Sequence, residues 1–136
     1  MKTEIYKLLI ERGIKPSVQR LAVLSYLLQT KAHPHADDIY LSLLPSMPTL
    51  SRTTVYSTLK LFAEKGVILS LNHDDKGVRY DGCTAPHAHF LCNVCNNLYD
   101  FPVENIEHKG LPKSFEIQEV QLMYKGLCED CINKQK

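Results

Sequence analysis

The stretch HAHFLCNVC (87–95) sets two histidines and two cysteines close together, and CEDC (128–131) repeats the Cys-x-x-Cys spacing near the carboxy terminus. Zinc in structural sites takes four tetrahedral ligands, and two Cys-x-x-Cys turns brought together supply four thiolates. Cys92, Cys95, Cys128 and Cys131 are therefore expected to hold a structural Zn(II). The ion would staple the end of the chain to an internal hairpin, in a half too small to be stabilised by burial alone. Structural zinc contributes about 10–16 kcal/mol of apparent binding energy at neutral pH. The plain alternative is four unrelated buried cysteines. A redox dithiol fits less well, because nothing suggests a thioredoxin-like βαβ setting.

With four thiolates on one ion, His87 and His89 are left over. On a strand they project the same way as an i, i+2 pair, a common start for a second metal site. Asp81, Asp100 and His33 are candidate partners, and Asp100 lies on the return strand of the hairpin that contains His89. If all five converge, the ligands are nitrogen and oxygen only, which suits Fe(II) or Mn(II) better than an all-sulfur set does. Taken singly, each is as readily a surface residue that binds nothing, and His35, His73 and His108 are read that way. The stretch 87–95 thus holds parts of two sites.

Positioning these groups falls to a chain of 136 residues, enough for one ordinary domain or two small ones. No apolar run is long enough to span a bilayer, and the charges interleaved in MKTEIYKLLIERG exclude a secretory signal. A cytoplasmic protein without a membrane partner is expected, and five cysteines there point to metal or redox chemistry rather than disulfides. Net charge is +1, yet residues 1–80 carry eleven Lys/Arg against seven Asp/Glu, and residues 81–136 five against eight. A basic front half and an acidic, Cys/His-rich back half suggest two jobs.

Ile5, Leu8 and Leu9 have helical spacing, with Gly13 closing a first helix. Pro16-Ser17 starts a second, with Val18, Leu21, Ala22, Leu24 and Leu28 on its apolar face. Ala36, Ile39, Tyr40 and Leu43 make a third helix ending at Pro45. Ser51 is an N-cap for a fourth, whose buried stripe is Val55, Leu59, Phe62 and Ala63 and whose end is marked by Gly66. VILSLN and VRYD are strand-like around the turn HDDKG, which completes the outline of a winged helix-turn-helix. GCTAP (82–86) reads as the joint. Beyond it, HFLC and LYDF form a second hairpin across NVCNN, a short helix falls near 103–108, SFEIQEVQLMY supplies a third strand, and the tail CEDCINKQK is polar and frays.

The fourth helix carries the second function. Opposite its buried stripe lie Thr53, Tyr56, Ser57 and Lys60, with Arg52 on the flank, and every one can hydrogen-bond to a phosphate or a base edge. A helix with that outer face, after a shorter helix and a tight turn, is built to enter a major groove. A merely solvated polar face is the bland alternative. Arg12, Lys15 and Arg20 add a basic cluster and the wing follows directly, so double-stranded DNA is the expected partner, with Lys15 and Arg20 among the contacts.

KPSVQR, HPHADDIY, TTVYSTLKLF, HAHFLCNVC and the terminal CEDC, in this order and over nearly the full length, resemble the ferric uptake regulator family of bacterial metal-dependent repressors. The resemblance implies an α+β homodimer on a palindromic operator. Residues 1–82 would form the winged-helix DNA-binding domain. Residues 83–136 would form a small α/β dimerisation domain with a three-stranded antiparallel sheet. The chain is most similar to the peroxide-stress branch, whose regulatory site of three histidines and two aspartates falls on His33, Asp81, His87, His89 and Asp100. That implies a repressor, not an enzyme, of oxidative-stress and metal-homeostasis genes. It would sense peroxide when bound Fe(II) catalyses oxidation of its own histidine ligands, at His33 and His87.

Iron-sensing relatives often have glutamate at the places of Asp81 and Asp100. They often have an acidic residue where this chain has Ala88, so no third site is expected. Two positions depart from the pattern. Ser57 follows the recognition-helix tyrosine where another residue is expected, and Cys83 lies where zinc-sensing relatives use a cysteine ligand. Cys83 is read as a spare thiol, and an iron-uptake or zinc-uptake repressor with the metal itself as signal stands as the alternative. A metallohydrolase on His-x-His plus aspartates would lack an obvious general base and leave the basic half unexplained.

Overall fold

The computed structural model describes residues 2–74, 77–84, 87–103, 109–117 and 120–134, the side chains of Lys2, Asn72, His73, Asp74 and His87 excepted. The chain divides into two compact units, Met1–Thr84 and Ala85–Lys136. Among the described residues no helix is long and apolar enough to cross a membrane.

The first unit runs α1 (Lys2–Glu11), α2 (Val18–Gln29), α3 (Ala36–Leu43), α4 (Arg52–Glu64), β1 (Leu69–Asp74) and β2 (Gly77–Asp81). Local chemistry sets the helix starts. The Ser17 hydroxyl accepts the N–H of Arg20 at 3.2 Å, and that of Ser51 accepts the N–H of Thr54 at 3.1 Å, each satisfying a donor the first turn leaves without a partner. His35 caps α3, its own N–H donating to Asp38 Oδ2 at 3.1 Å. Gly66, at φ 72°, lets the chain turn after α4 in a conformation that side chains resist.

The core lies between the helices, where Leu9, Val23, Leu24, Leu27, Ile39, Val55, Leu59, Phe62 and Ile68 are sealed from water. Two expected helix faces are corrected by this packing. On α2, Val18 is 72% exposed and Leu28 41%, while Val23 and Leu27 take the interior places. Because α2 packs against α1, α3 and α4 together, its buried face is rotated from the one that periodicity picks out. On α4, Thr58 is buried one turn after Val55, and Ala63 is only half-buried. β1 and β2 form the antiparallel wing, with a register shift between Leu71 and Asp74. The Tyr80 N–H donates to the Pro34 carbonyl at 2.9 Å, and His35 bridges Arg79, fastening the α2–α3 loop to β2.

The second unit runs β3 (His87–Cys92), β4 (Leu98–Pro102), β5 (Leu122–Gly126) and α5 (Glu129–Lys134). The sheet order is β4-β3-β5, with β3–β4 antiparallel and β3–β5 parallel. The three-stranded sheet is thus mixed, not antiparallel as expected. A tight turn can only reverse the chain, whereas the long connection after β4 lets β5 run in the same direction as β3. The third strand also starts later than expected and runs on to Gly126. The tail is a helix where fraying was expected: Glu129 and Asp130 in its first turn and Lys134 in its last suit the helix dipole, and Cys131 is buried. The short helix expected near 103–108 lies outside the described residues.

Candidate functional site

The four thiols of the second unit come together through two turns. Cys92 ends β3, and the chain folds back at once: the Asn96 N–H donates to the Cys92 carbonyl and the Cys92 N–H to the Asn97 carbonyl, both at 3.0 Å. Asn96 takes the left-handed conformation, φ 62°, that an asparagine tolerates in such a turn. Cys128 and Cys131 lie on the entry and first turn of α5. The Asn93 N–H donates to the Gly126 carbonyl at 2.8 Å and the Cys128 N–H to Cys92 Sγ at 3.5 Å, so the two turns are locked face to face.

All four sulfurs lie within 4.8 Å of one another, and Cys95 Sγ and Cys128 Sγ are 3.8 Å apart. A tetrahedron with Zn–S bonds of about 2.3 Å has edges of about 3.8 Å. Backbone N–H groups of Cys128 and Cys95 pull the Cys92 thiol down to about 6, while the thiols around it, Cys128 foremost, push Cys131 up to about 12. Four thiols packed this closely cannot all ionise without a cation among them, and a divalent ion would supply that charge. The backbone N–H of Cys131 is the main cause that lowers the Cys128 thiol, and the Tyr99 hydroxyl adds to it, an outer partner of the cluster that the sequence does not advertise.

Each unit also sets a buried imidazole against a carboxylate. In the first, His33 Nε2 lies 3.3 Å from Asp81 Oδ2, with both side chains almost wholly buried. His33 has φ 51°, a strained value for a residue with a side chain. The bonds of Pro34 and His35 to β2, directly after it, hold the loop there. Asp81 is fixed in turn, because its Oδ1 accepts the Cys83 N–H at 2.9 Å. Gly82 between them has no room for a side chain: a Cβ would sit 2.8 Å from the Leu27 carbonyl oxygen.

In the second unit, His89 and Asp100 are direct cross-strand neighbours, with Nε2 to Oδ1 at 3.2 Å. The strand period therefore delivers what the sequence only permitted. His87 stands opposite Pro102 in the backbone register, and its side chain lies outside the described residues. Cys83 is exposed, and His35 is spent on its helix cap, its Nδ1 3.3 Å from Asp38 Oδ2.

The expected nucleic-acid face is on the surface. Arg52, Thr53, Tyr56, Ser57 and Lys60 are all exposed on α4, and four of them line a groove of about 540 Å³ running to Ser70, Val78 and Tyr80 of the wing. Lys15 is exposed, and its carbonyl accepts Arg20 Nη1 at 2.7 Å, which holds these two cations together. Arg12 belongs elsewhere. Its guanidinium donates to the carbonyls of Lys65 and Gly66 at 3.2 and 3.4 Å, closing the end of α4. Asp37 was not singled out by sequence reasoning, yet its Oδ1 takes Arg52 Nη1 at 2.6 Å and the Tyr56 hydroxyl at 3.1 Å.

Known proteins resemble this chain in sequence and in fold. The chain is 33% identical to the peroxide operon regulator of Bacillus subtilis over 97% of its own length and 94% of that protein's. Its fold matches the ferric uptake regulator of Helicobacter pylori with a TM-score of 0.75 at 19% identity, covering 97% of this chain and 94% of that one. It matches the peroxide regulator PerR of Streptococcus pyogenes with a TM-score of 0.55 at 25% identity, covering 96% and 92%. The model of the ferric uptake regulator family matches residues 11–125. This chain belongs to the ferric uptake regulator family, a family of metal-dependent DNA-binding regulators.

Proposed function

We propose that this protein is a homodimeric repressor that binds a palindromic operator when a regulatory metal is present and lets go when peroxide oxidises that metal's ligands. The observation that carries the reading is the pair of prearranged imidazole–carboxylate contacts, His33–Asp81 in one unit and His89–Asp100 in the other. Both offer nitrogen and oxygen to a cation of borderline hardness, as Fe(II) and Mn(II) prefer. With His87 they make a five-residue set whose members come from both units. A metal held by all of them fixes the relation of the DNA-binding domain, 1–82, to the dimerisation domain, 83–136. In a dimer that relation sets the distance between the two recognition helices, which must match half-site spacing.

The remaining roles follow from the chemistry of each group. Cys92, Cys95, Cys128 and Cys131 hold a structural Zn(II), which maintains the dimerisation domain whatever the regulatory site contains. Tyr99, Phe101 and Tyr124 leave an aromatic sheet surface 38–53% exposed, which a second copy of the chain would cover. Lys15, Arg20 and Lys60 meet phosphates, while Thr53, Tyr56 and Ser57 face base edges with Arg52 on their flank.

Fe(II) in such a site supplies one chemistry when bound, the reductive cleavage of hydrogen peroxide beside its own ligands. His33 and His87 are the groups that take the oxygen. An oxidised imidazole is a poor ligand, so the tie between the domains fails. The similarity to peroxide regulators favours this reading over an iron-uptake or zinc-uptake repressor, in which metal occupancy alone is the signal.

The test is to add hydrogen peroxide to the Fe(II) and Mn(II) forms with zinc in place, then map peptides by mass. The Fe(II) form should gain one oxygen on His33 or His87 and keep its zinc, while the Mn(II) form stays unmodified. Intact histidines beside oxidised Cys92, Cys95, Cys128 or Cys131 would replace the histidine mechanism with a thiol switch.

A further inference from the structure

The outer face of α4 carries one phenol, Tyr56, and one guanidinium, Arg52, and a single oxygen holds both. Asp37 Oδ1, in the first turn of α3, accepts Arg52 Nη1 at 2.6 Å and the Tyr56 hydroxyl at 3.1 Å. The Arg52 guanidinium also lies over the ring of Tyr40, 4.7 Å from its centre, so two residues of α3 fix it. All four side chains belong to the same compact unit, and Tyr56 remains 48% exposed.

A phenol has one proton, and an ionised carboxylate has none to give. The direction of this hydrogen bond is therefore fixed: Tyr56 donates to Asp37, and towards solvent its oxygen can only accept. The contact also raises the Tyr56 pKa, with the Asp37 hydrogen bond as the largest cause, which keeps the phenol proton in place at neutral pH.

In the major groove the donors are the amino groups of adenine and cytosine. Guanine presents two acceptors, and thymine an acceptor and a methyl group. An acceptor-only Tyr56 can take a hydrogen bond from adenine or cytosine, or lay its ring against a thymine methyl. It has nothing to offer guanine. The same carboxylate sets a negative charge beside Arg52, where a phosphate would otherwise be drawn indiscriminately.

We infer that Asp37 is a specificity-determining positioning residue, which makes Tyr56 an acceptor-only reader that discriminates against guanine and restrains Arg52 from sequence-independent phosphate binding. This inference rests on the DNA-binding reading given above.

The experiment selects duplexes from a randomised DNA library with the Mn(II)-loaded, zinc-containing protein, as wild type, Asp37→Asn and Tyr56→Phe. Affinities follow by fluorescence anisotropy on the wild-type-selected duplex and on a scrambled one. An asparagine amide can donate to the Tyr56 oxygen, which frees the phenol proton to point outward. Asp37→Asn should therefore admit guanine at the base-pair position where Tyr56→Phe also loses its preference. The ratio of specific to scrambled affinity should fall about tenfold, the scale of one base-edge contact, while affinity for the scrambled duplex holds or rises.

An unchanged base profile in Asp37→Asn overturns the inference, as does an equal loss of affinity on both duplexes, the mark of a merely structural tie. Tyr56→Phe tests it independently of that variant's folding: guanine still excluded at every position would also overturn it. If wild-type protein enriches no sequence, the DNA-binding reading itself fails, and the inference with it.

Discussion

Gly82 is the residue whose replacement connects packing to metal binding most directly. Its added Cβ would lie 2.8 Å from the Leu27 carbonyl oxygen, 3.0 Å from that carbonyl carbon and 3.3 Å from the Leu28 nitrogen, all backbone atoms of α2. Ordinary contact begins near 3.4 Å, so the end of β2 must retreat by at least 0.6 Å. Helix α2 cannot yield instead, because the Leu27 side chain is sealed in the core. Overpacking of this kind costs about 1–3 kcal/mol, and in a domain of this size each kcal/mol lowers the melting temperature by roughly 4–8 °C.

The displaced segment contains Asp81 and the Cys83 N–H that orients it. Outer contacts of this type are worth about 10–100-fold in metal affinity. Gly82→Ala should therefore melt earlier and bind Mn(II) about tenfold more weakly, with zinc content unchanged. Calorimetry and Mn(II) titration followed by electron paramagnetic resonance measure the two quantities. Melting within about 1 °C of wild type, together with Mn(II) affinity within about twofold, would refute the reasoning.

Three further outcomes separate the roles assigned above. Cys131→Ser should lose zinc and with it the folded dimer, because the ion's binding energy is folding energy; sedimentation and metal analysis decide it, and a zinc-free folded dimer would reject the assignment. Arg12→Ala should cost about 1 kcal/mol of stability and leave the salt dependence of DNA binding alone, whereas Lys15→Ala should reduce the salt slope by about 0.9 with little effect on melting. Phe62→Ala, which empties the centre of the first unit's core, should cost about 3–5 kcal/mol, measured by urea unfolding; a loss below about 1 kcal/mol would mean that the core collapses around the gap.

What the sequence disclosed was mostly local. Ser17 and Ser51 announce helix starts because a short side-chain acceptor satisfies the first turn wherever the helix ends up. The matched CNVC and CEDC turns foretell that four thiols meet, since each turn presents two sulfurs on its own. That Asp100 returns beside His89 was legible as a possibility once the hairpin was, and the register that sets them directly opposite came from the structure.

The rest depended on long-range packing. Which stripe of α2 is buried was decided by three neighbouring helices at once. The direction of β5 was hidden by a connection whose length permits either sense, and α5 was obscured by polar residues that also suit a loose end. Asp37 looks like an ordinary acidic residue at a helix start, and only α3 lying beside α4 brings it to Arg52 and Tyr56. Gly82 reads as a joint, and nothing in its neighbours tells that the α2 backbone passes within a methyl's width.

The proposal that a metal shared by His33, Asp81, His87, His89 and Asp100 controls DNA binding is tested most directly by one comparison. A duplex selected with the Mn(II) form is titrated with protein that retains its zinc, once with Mn(II) and once with the regulatory metal removed by a chelator too weak to extract zinc from four thiolates. Coupling between two sites in a protein spans 1–3 kcal/mol, about 5–150-fold in affinity, and a clamp between two domains belongs in the upper part of that range. Binding at least about tenfold tighter with Mn(II), and lost in His89→Ala, is the expected result. Equal affinity with and without the metal, at unchanged zinc content, would contradict it.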